Sequence, residues 1–156
     1  MNIVVILVII VALLFGLTYF MRRRFGVLGL ALCAGSLLSV TWTTQATQFV
    51  SGAGFYILTP PLHIVVAAAL ILLPVAPLLF SGPTYNTRWQ RLVGAAAFAL
   101  LATSFLLLPL GGWLDLDSTG RTIYSLLIDN RNLIITAGIA YAVYDLLILK
   151  TPKKKG

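Results

Sequence analysis

The feature that most constrains this chain is the alternation of long apolar runs with short charged connections. The opening run, residues 1–21, carries no charge and only two polar residues, Asn2 and Thr18. Three consecutive basic residues end it: Arg22, Arg23 and Arg24. A helix needs about 20 apolar residues to cross a bilayer core of about 30 Å. The pattern therefore predicts a helical protein that crosses a membrane several times.

The composition agrees with a membrane location. Hydrophobic residues make up 60% of the 156 residues, charged residues make up 10%, and the mean hydropathy is +1.00. A typical soluble domain is about half apolar and about a quarter charged, so a soluble fold is excluded. The net charge of +7 comes from residues that separate apolar runs. We therefore expect anionic lipid headgroups as partners, with no nucleic acid and no cofactor.

Five of the apolar runs are long enough to span a bilayer. We expect an all-α fold with a single transmembrane domain over residues 1–156 and spans at about 2–20, 27–48, 62–80, 92–113 and 133–149. Pro74 and Pro77 remove backbone donors from the third span and should kink it. A short helix over residues 123–128, between the fourth and fifth spans, is expected to lie at the membrane interface.

The basic residues are divided unequally between the two sides of such a bundle. With five spans, one side holds nine of the eleven basic residues: Arg22, Arg23, Arg24, Arg88, Arg91, Lys150, Lys153, Lys154 and Lys155. The other side holds Arg121 and Arg131. Short connections rich in Lys and Arg stay in the cytoplasm. We therefore expect a multi-pass protein of the inner (cytoplasmic) membrane, with its amino terminus outside and its carboxyl terminus inside. The charge follows the first apolar run, which favours a retained span over a cleaved signal peptide.

Small residues recur at helical spacing on two spans. Such faces let helix backbones approach closely inside a membrane. The second span carries Gly26, Gly29, Cys33 and Ser36, and the fourth carries Gly94, Ala95, Ala99 and Ala102. We expect these residues to form helix-packing surfaces, with each span a natural partner of the other, and to support a homo-oligomer or a complex with another membrane protein.

Asp145 is the one acidic residue within a predicted span, and Tyr141 shares its helix face one turn earlier. An ionisable group in a span points to a functional role such as ion pairing or proton binding. The arginines of the same side are the expected cationic partners. The alternative is that Asp145 lies near the interface and has a purely structural role.

Other chemistry finds little support. His63 with Asp115 and Asp117 is a conceivable metal site, but the chain has no Glu, and a lone His at a helix start is more often an interface residue; we predict no metal. The run that starts at Asp115 resembles a calcium loop, yet Leu126 stands where the bidentate Glu is needed. An intramembrane aspartyl protease needs two carboxylates, and only one lies in a span. We predict no catalytic residues.

Three stretches resemble the colicin V production (CvpA) family of small inner-membrane proteins. They are the uncharged first span that ends in the basic turn 22–26, the second span with Gly29, Ala34 and Gly35, and the basic turn that opens the Gly/Ala-rich fourth span over residues 88–95. The resemblance covers about residues 1–113. Phe25 interrupts the family's usual Arg-Gly pair, and the fifth span with its Lys tail is additional.

The resemblance implies a non-enzymatic protein that supports envelope function or toxin export through helix–helix association. The alternative is a small transporter or a holin-like channel subunit. That alternative would use Asp145 and the kinked third span.

Overall fold

The computed structural model describes residues 3–54, 60–111 and 118–148. These parts of the chain are helical, as predicted, and the pairing of Arg23 with Thr84 is an isolated antiparallel bridge. Seven helices follow one another in the described ranges: α1 (Ile3–Met21), α2 (Phe25–Gly52), α3 (Leu62–Leu72), α4 (Val75–Ser81), α5 (Arg88–Gly111), α6 (Ser118–Asp129) and α7 (Arg131–Leu147).

Several of these helices have the length and composition of membrane spans. Helix α2, helices α3 and α4 taken together, and helix α5 each qualify. Helices α6 and α7 qualify only as a pair, with a bend of 53° between them, and α1 contributes the shorter apolar stretch Leu7–Met21. Over the described residues, the chain is thus helical, with three or four candidate membrane spans.

Two prolines divide the predicted third span. Helix α3 ends at Leu72, Pro74 directly precedes α4, and Pro77 lies in the first turn of α4. The backbone N–H groups of a first turn have no acceptor within their own helix, so a proline costs little there. The expected kink is therefore a break between two helices.

Helix α2 is longer than predicted. It has 28 residues and continues to Gly52, which corresponds to ~42 Å at the helical rise. Its buried residues all lie between Phe25 and Gly35. In the remaining part, the hydroxyls of Thr41, Thr43 and Thr47 donate to carbonyls one turn earlier. These polar side chains are satisfied within the helix, which allows α2 to extend beyond its packed half.

The core lies between α2 and α5. Its largest fully buried side chains include Phe25, Leu28 and Leu32 from α2, and Phe98 and Leu101 from α5. Helices α1 and α4 end, and helices α2 and α5 begin, at the same end of the bundle. We call this end, which carries Arg22, Arg23, Arg24, Arg88 and Arg91, the arginine end, and the opposite end the far end.

The small residues of α2 contact α7 and α3. A Cβ atom at Gly26 would lie 2.7 Å from the carbonyl oxygen of Ala142 in α7, and one at Gly29 would lie 3.1 Å from the Ala142 methyl group. A Cβ atom at Gly35 would overlap the Ile71 carbonyl of α3. The close contacts of these glycines are thus with α7 and α3, whereas the sequence suggested the fourth span as their partner.

The small residues of α5 also face the interior of the helix bundle. Ala95, Ala99 and Ala102 are buried, and Gly94 accommodates the ring of Tyr85. Cys33 and Ser36 of α2 are half-buried, and the Ser36 hydroxyl donates to the Cys33 carbonyl over 2.7 Å. The close packing that the buried small residues permit is therefore internal to one chain.

Candidate functional site

Asp145 lies near the end of α7 and is buried, with 7% of its surface exposed. Its Oδ2 atom accepts a hydrogen bond of 2.9 Å from the backbone N–H of Gly26. Gly26 is the second residue of α2, and the first N–H groups of a helix have no acceptor within that helix. A carboxylate also interacts favourably with the positive end of the helix dipole. Asp145 therefore caps the amino terminus of α2 from a different helix.

The neighbouring amide of α2 is capped by Tyr85. The N–H group of Phe25 donates to the Tyr85 hydroxyl over 3.1 Å. Tyr85 lies in the turn between α4 and α5, and its buried ring packs on Gly94. Burial raises the pKa of Tyr85 well above its usual range; the Phe25 amide lowers it, and the charge of Asp145 and a hydrogen bond to it raise it again. The hydroxyl therefore stays protonated near neutral pH.

Aromatic and cationic side chains complete the cluster. Tyr141 lies one turn before Asp145, and its ring stacks on Phe25 with centroids 5.2 Å apart. The Arg24 guanidinium lies over the Tyr85 ring, 5.4 Å from its centroid. Within the described residues, its Nη1 atom is buried and donates to no acceptor.

The cationic partners expected for Asp145 do not reach it. Of the arginines at the arginine end, none forms an ion pair with Asp145 in the described ranges. A backbone amide takes that place. The reason is that α2 begins beside Asp145. Its first backbone N–H groups have no acceptor within their own helix and lie next to the carboxylate.

Arg23 binds the end of another helix. Its Nε atom donates to the Leu79 carbonyl over 2.6 Å, and its two terminal nitrogens donate to the carbonyls of Gly82 and Phe80. The last carbonyls of a helix lack intrahelical donors and carry partial negative charge. Arg23 therefore caps the end of α4.

Arg91 has a similar role at the end of α1. Its Nη2 atom donates to the Tyr19 carbonyl over 2.8 Å, and its guanidinium lies 4.3 Å from the centroid of the Tyr19 ring. Its Nε atom is buried and has no acceptor in the described part of the chain. Arg91 thus joins α5 to α1.

The turn that contains the arginine triplet is tied to the turn before α5. The N–H of Arg24 donates to the Pro83 carbonyl over 3.0 Å, and the N–H of Tyr85 donates to the Arg22 carbonyl over 2.9 Å. Arg22 has a positive φ of 57°, which reverses the chain between α1 and α2. The triplet is therefore a structural junction of four helices as well as a charged segment.

The other predicted site residues lie apart from this cluster. Arg88 is exposed, and His63 is exposed at the start of α3. Asp115, Asp117, Lys150, Lys153, Lys154 and Lys155 lie outside the described residues. Among the residues that the structure describes, no three His, Cys, Asp or Glu side chains are grouped in a way that could hold a metal ion.

Sequence reasoning singled out Asp145 and the arginines but not Tyr85. In the sequence, Tyr85 is marked only as a tyrosine in a polar turn, three residues before α5 begins. The burial of its ring depends on the space that Gly94 leaves. The cluster as a whole neutralises helix ends, with a carboxylate and a phenol at the start of α2 and guanidinium groups at the ends of α1 and α4.

No family model, curated protein or solved structure matches this chain.

Proposed function

We propose that the chain is a non-enzymatic integral membrane protein that acts through helix–helix association. The observation that supports this proposal is the structural role of Asp145 as a helix cap. A carboxylate in a span is a candidate for transport or proton chemistry. Here, it is buried and bound to the Gly26 amide, so it stabilises the joint between α2 and α7.

A transport function is the competing proposal. It would require Asp145 to bind a proton or a cation reversibly during a transport cycle, and each binding event would neutralise the carboxylate that caps the start of α2. This conflict places transport second.

Flux through proteoliposomes tests the two against each other. We expect the reconstituted protein to show no proton- or ion-dependent flux above that of empty vesicles. A flux that is abolished in Asp145→Asn and retained in Asp129→Asn, which changes an exposed carboxyl of α6, would replace the first proposal with the second.

We propose five spans in the inner membrane, with the arginine end in the cytoplasm. The clustering of five arginines at one end of the bundle supports this orientation, because positive charge is retained on the cytoplasmic side. The first span would be α1 and the fifth would be α7, at about residues 133–149, with α6 lying at the membrane interface.

Cysteine labelling in a Cys33→Ala background tests this topology. With the amino terminus outside, Ala53→Cys should react with an impermeant maleimide on intact cells, whereas Thr87→Cys should react only after permeabilisation. Both positions are exposed on the protein. The opposite labelling pattern, or equal labelling of both sites, would overturn the orientation.

The resemblance to the colicin V production family adds a role in envelope function or toxin export to the proposal. Because the closely packed small residues face the inside of the chain, a partner would contact exposed apolar positions such as Val40, Trp42 and Phe49 on the extended half of α2. Light scattering of the detergent-solubilised protein should report a homo-oligomer or a fixed complex. A monomer without a partner would contradict this proposal.

A further inference from the structure

One face of α2 carries a sequence repeat that the described part of the chain leaves exposed. Six positions recur along this face at alternating spacings of four and three residues: Ala34, Leu38, Thr41, Gln45, Gln48 and Gly52. All six are exposed. Spacing of this kind is typical of the contact line between two helices that wind around each other. We call these six residues the α2 seam.

Two glutamine amides of the seam lack hydrogen-bond partners. Within the described ranges, the side chains of Gln45 and Gln48 make no hydrogen bond. The nearby hydroxyls differ, because those of Thr41 and Ser51 donate to carbonyls of α2 itself. An amide offers both an N–H donor and a carbonyl acceptor, so two amides can satisfy each other. Amide side chains form such hydrogen bonds between helices in membranes.

Large aromatic rings lie beside these amides. Trp42 is 59% exposed and Phe49 is 80% exposed, and both flank the seam on the same side. Water would leave the two rings uncovered, whereas lipid tails would leave the amides without partners. The headgroup layer suits a tryptophan, but Phe49 lies two turns, ~10 Å, further along the helix. A protein surface that covers the rings and pairs the amides satisfies both kinds of group.

The charge and symmetry of α2 identify a second copy of the chain as that surface. No charged residue occurs between Phe25 and Gly52, so two copies of the helix meet without like-charge repulsion. Copies in one membrane share an orientation, and a twofold axis along the membrane normal places each seam residue opposite itself. Gln45 then meets the partner's Gln45, and an amide is a group that pairs with its own kind.

We propose that the chain forms a parallel homodimer through the α2 seam, in which Gln45 and Gln48 pair with the same residues of the second copy. This inference rests on the proposed function, helix–helix association in a membrane, and names the partner and the contact face. Trp42 and Phe49 cover the rim of the contact. The seam starts at Ala34, ~15 Å of helix beyond Arg24, so the dimer does not bring the arginine ends into contact.

Disulfide crosslinking in isolated membranes tests the contact face. In a Cys33→Ala background, Thr41→Cys places one thiol on the seam and leaves both glutamines intact. Val5→Cys, at an exposed position of α1, is the matched control, because it lies as many residues from the arginine end as Thr41 does. A disulfide requires Cα atoms within about 7 Å of each other. We expect oxidation to give a covalent dimer for Thr41→Cys and a monomer for Val5→Cys.

The dissociation constant of the dimer tests the role of the amides. Sedimentation equilibrium of the detergent-solubilised full chain should show about tenfold weaker dimerisation when Gln45→Ala and Gln48→Ala are combined. Gln90→Ala makes the same change at an exposed glutamine of α5 and should leave the dimer constant at its wild-type value. Circular dichroism checks that the variants keep their helices. The crosslinking comparison needs neither glutamine variant, so it tests the proposal even if the double variant does not fold.

Equal crosslinking through Val5→Cys and Thr41→Cys would overturn the proposal, as would a dimer constant unchanged by the double substitution. A crosslinked product that contains a different protein would show that the partner is not a second copy and would also overturn it. In each of these three results the chain still associates, so the proposed function stands. A monomer without any partner would overturn both, which distinguishes the two failures.

Discussion

The Asp145 carboxylate and the Gly26 backbone amide, 119 residues apart in sequence, form a hydrogen bond of 2.9 Å in the buried joint between α7 and α2. This contact links the last described helix to the first turn of the second. The buried carboxylate caps the helix, and the helix amide satisfies the carboxylate. Loss of either group would therefore leave the other buried without a hydrogen-bond partner.

Substitution of Asp145 should therefore destabilise the protein, and more so when the hydrogen-bond acceptor is lost than when only the charge is lost. Asp145→Ala leaves the Gly26 amide buried without an acceptor and should cost about 1–3 kcal/mol. Asp145→Asn keeps an acceptor but loses the charge at the helix terminus, at about 0.3–1 kcal/mol. Thermal unfolding in detergent measures both, with Asp129→Ala as an exposed control. Equal effects of the Ala and Asn variants would contradict the capping role.

Neighbouring arginines should differ in their contribution to stability. Arg23→Ala removes three hydrogen bonds from the carbonyls at the end of α4 and should cost about 1–2 kcal/mol. Arg22→Gly should be tolerated, because glycine readily adopts the positive φ found there. Unfolding midpoints of the two variants give the comparison. Both variants lose one positive charge, so a larger loss in Arg22→Gly than in Arg23→Ala would contradict the capping role of Arg23.

Two glycine-to-alanine substitutions should have opposite effects. Gly35→Ala would place a methyl group on the Ile71 carbonyl and force α2 away from α3, at a cost of about 1–3 kcal/mol. Gly16→Ala in α1 meets no atom within 4 Å and should gain up to about 1 kcal/mol from helix propensity. Chemical or thermal unfolding distinguishes them. A neutral Gly35→Ala variant would mean that α2 and α3 are not in such close contact.

Alkaline pH should destabilise the protein through Tyr85. Because its pKa is raised in the folded state, the folded protein keeps a proton that the unfolded chain loses near pH 10. The stabilisation by this group is therefore present below about pH 10 and is lost as the pH rises above it. Unfolding midpoints between pH 8 and 11 should fall less steeply for Tyr85→Phe than for the wild type. Tyr144→Phe, which removes an exposed hydroxyl, should follow the wild type.

The helices were predictable because length and hydropathy are local properties of the sequence. The apolar runs correspond to α1, α2, the α3–α4 pair, α5 and α7, and the proline break follows from Pro74 and Pro77. Helix ends were less predictable. The run of hydroxyl and amide residues near Gln48 suggested a boundary, yet α2 continues to Gly52 because the threonine hydroxyls bond within the helix.

The candidate site was predictable only in part. Asp145 stands out as an acidic residue in an apolar run, but its acceptor role depends on a backbone amide, which carries no sequence signal. The glycines of α2 show the same limit. All three are small residues of one helix, and only the positions of α7 and α3 show that Gly26 and Gly35 each meet a backbone carbonyl whereas Gly29 meets side chains.

The paired turns at the arginine end determine where this molecule can move. Two backbone hydrogen bonds and the guanidinium of Arg23 fasten the α1–α2 turn to the α4–α5 turn, so these helix pairs cannot separate there without losing all of these bonds together. Connecting turns usually accept inserted epitopes, but an insertion between Arg22 and Arg24 would break both turns at once. The arginine end therefore resists both separation of these helix pairs and insertion of extra sequence.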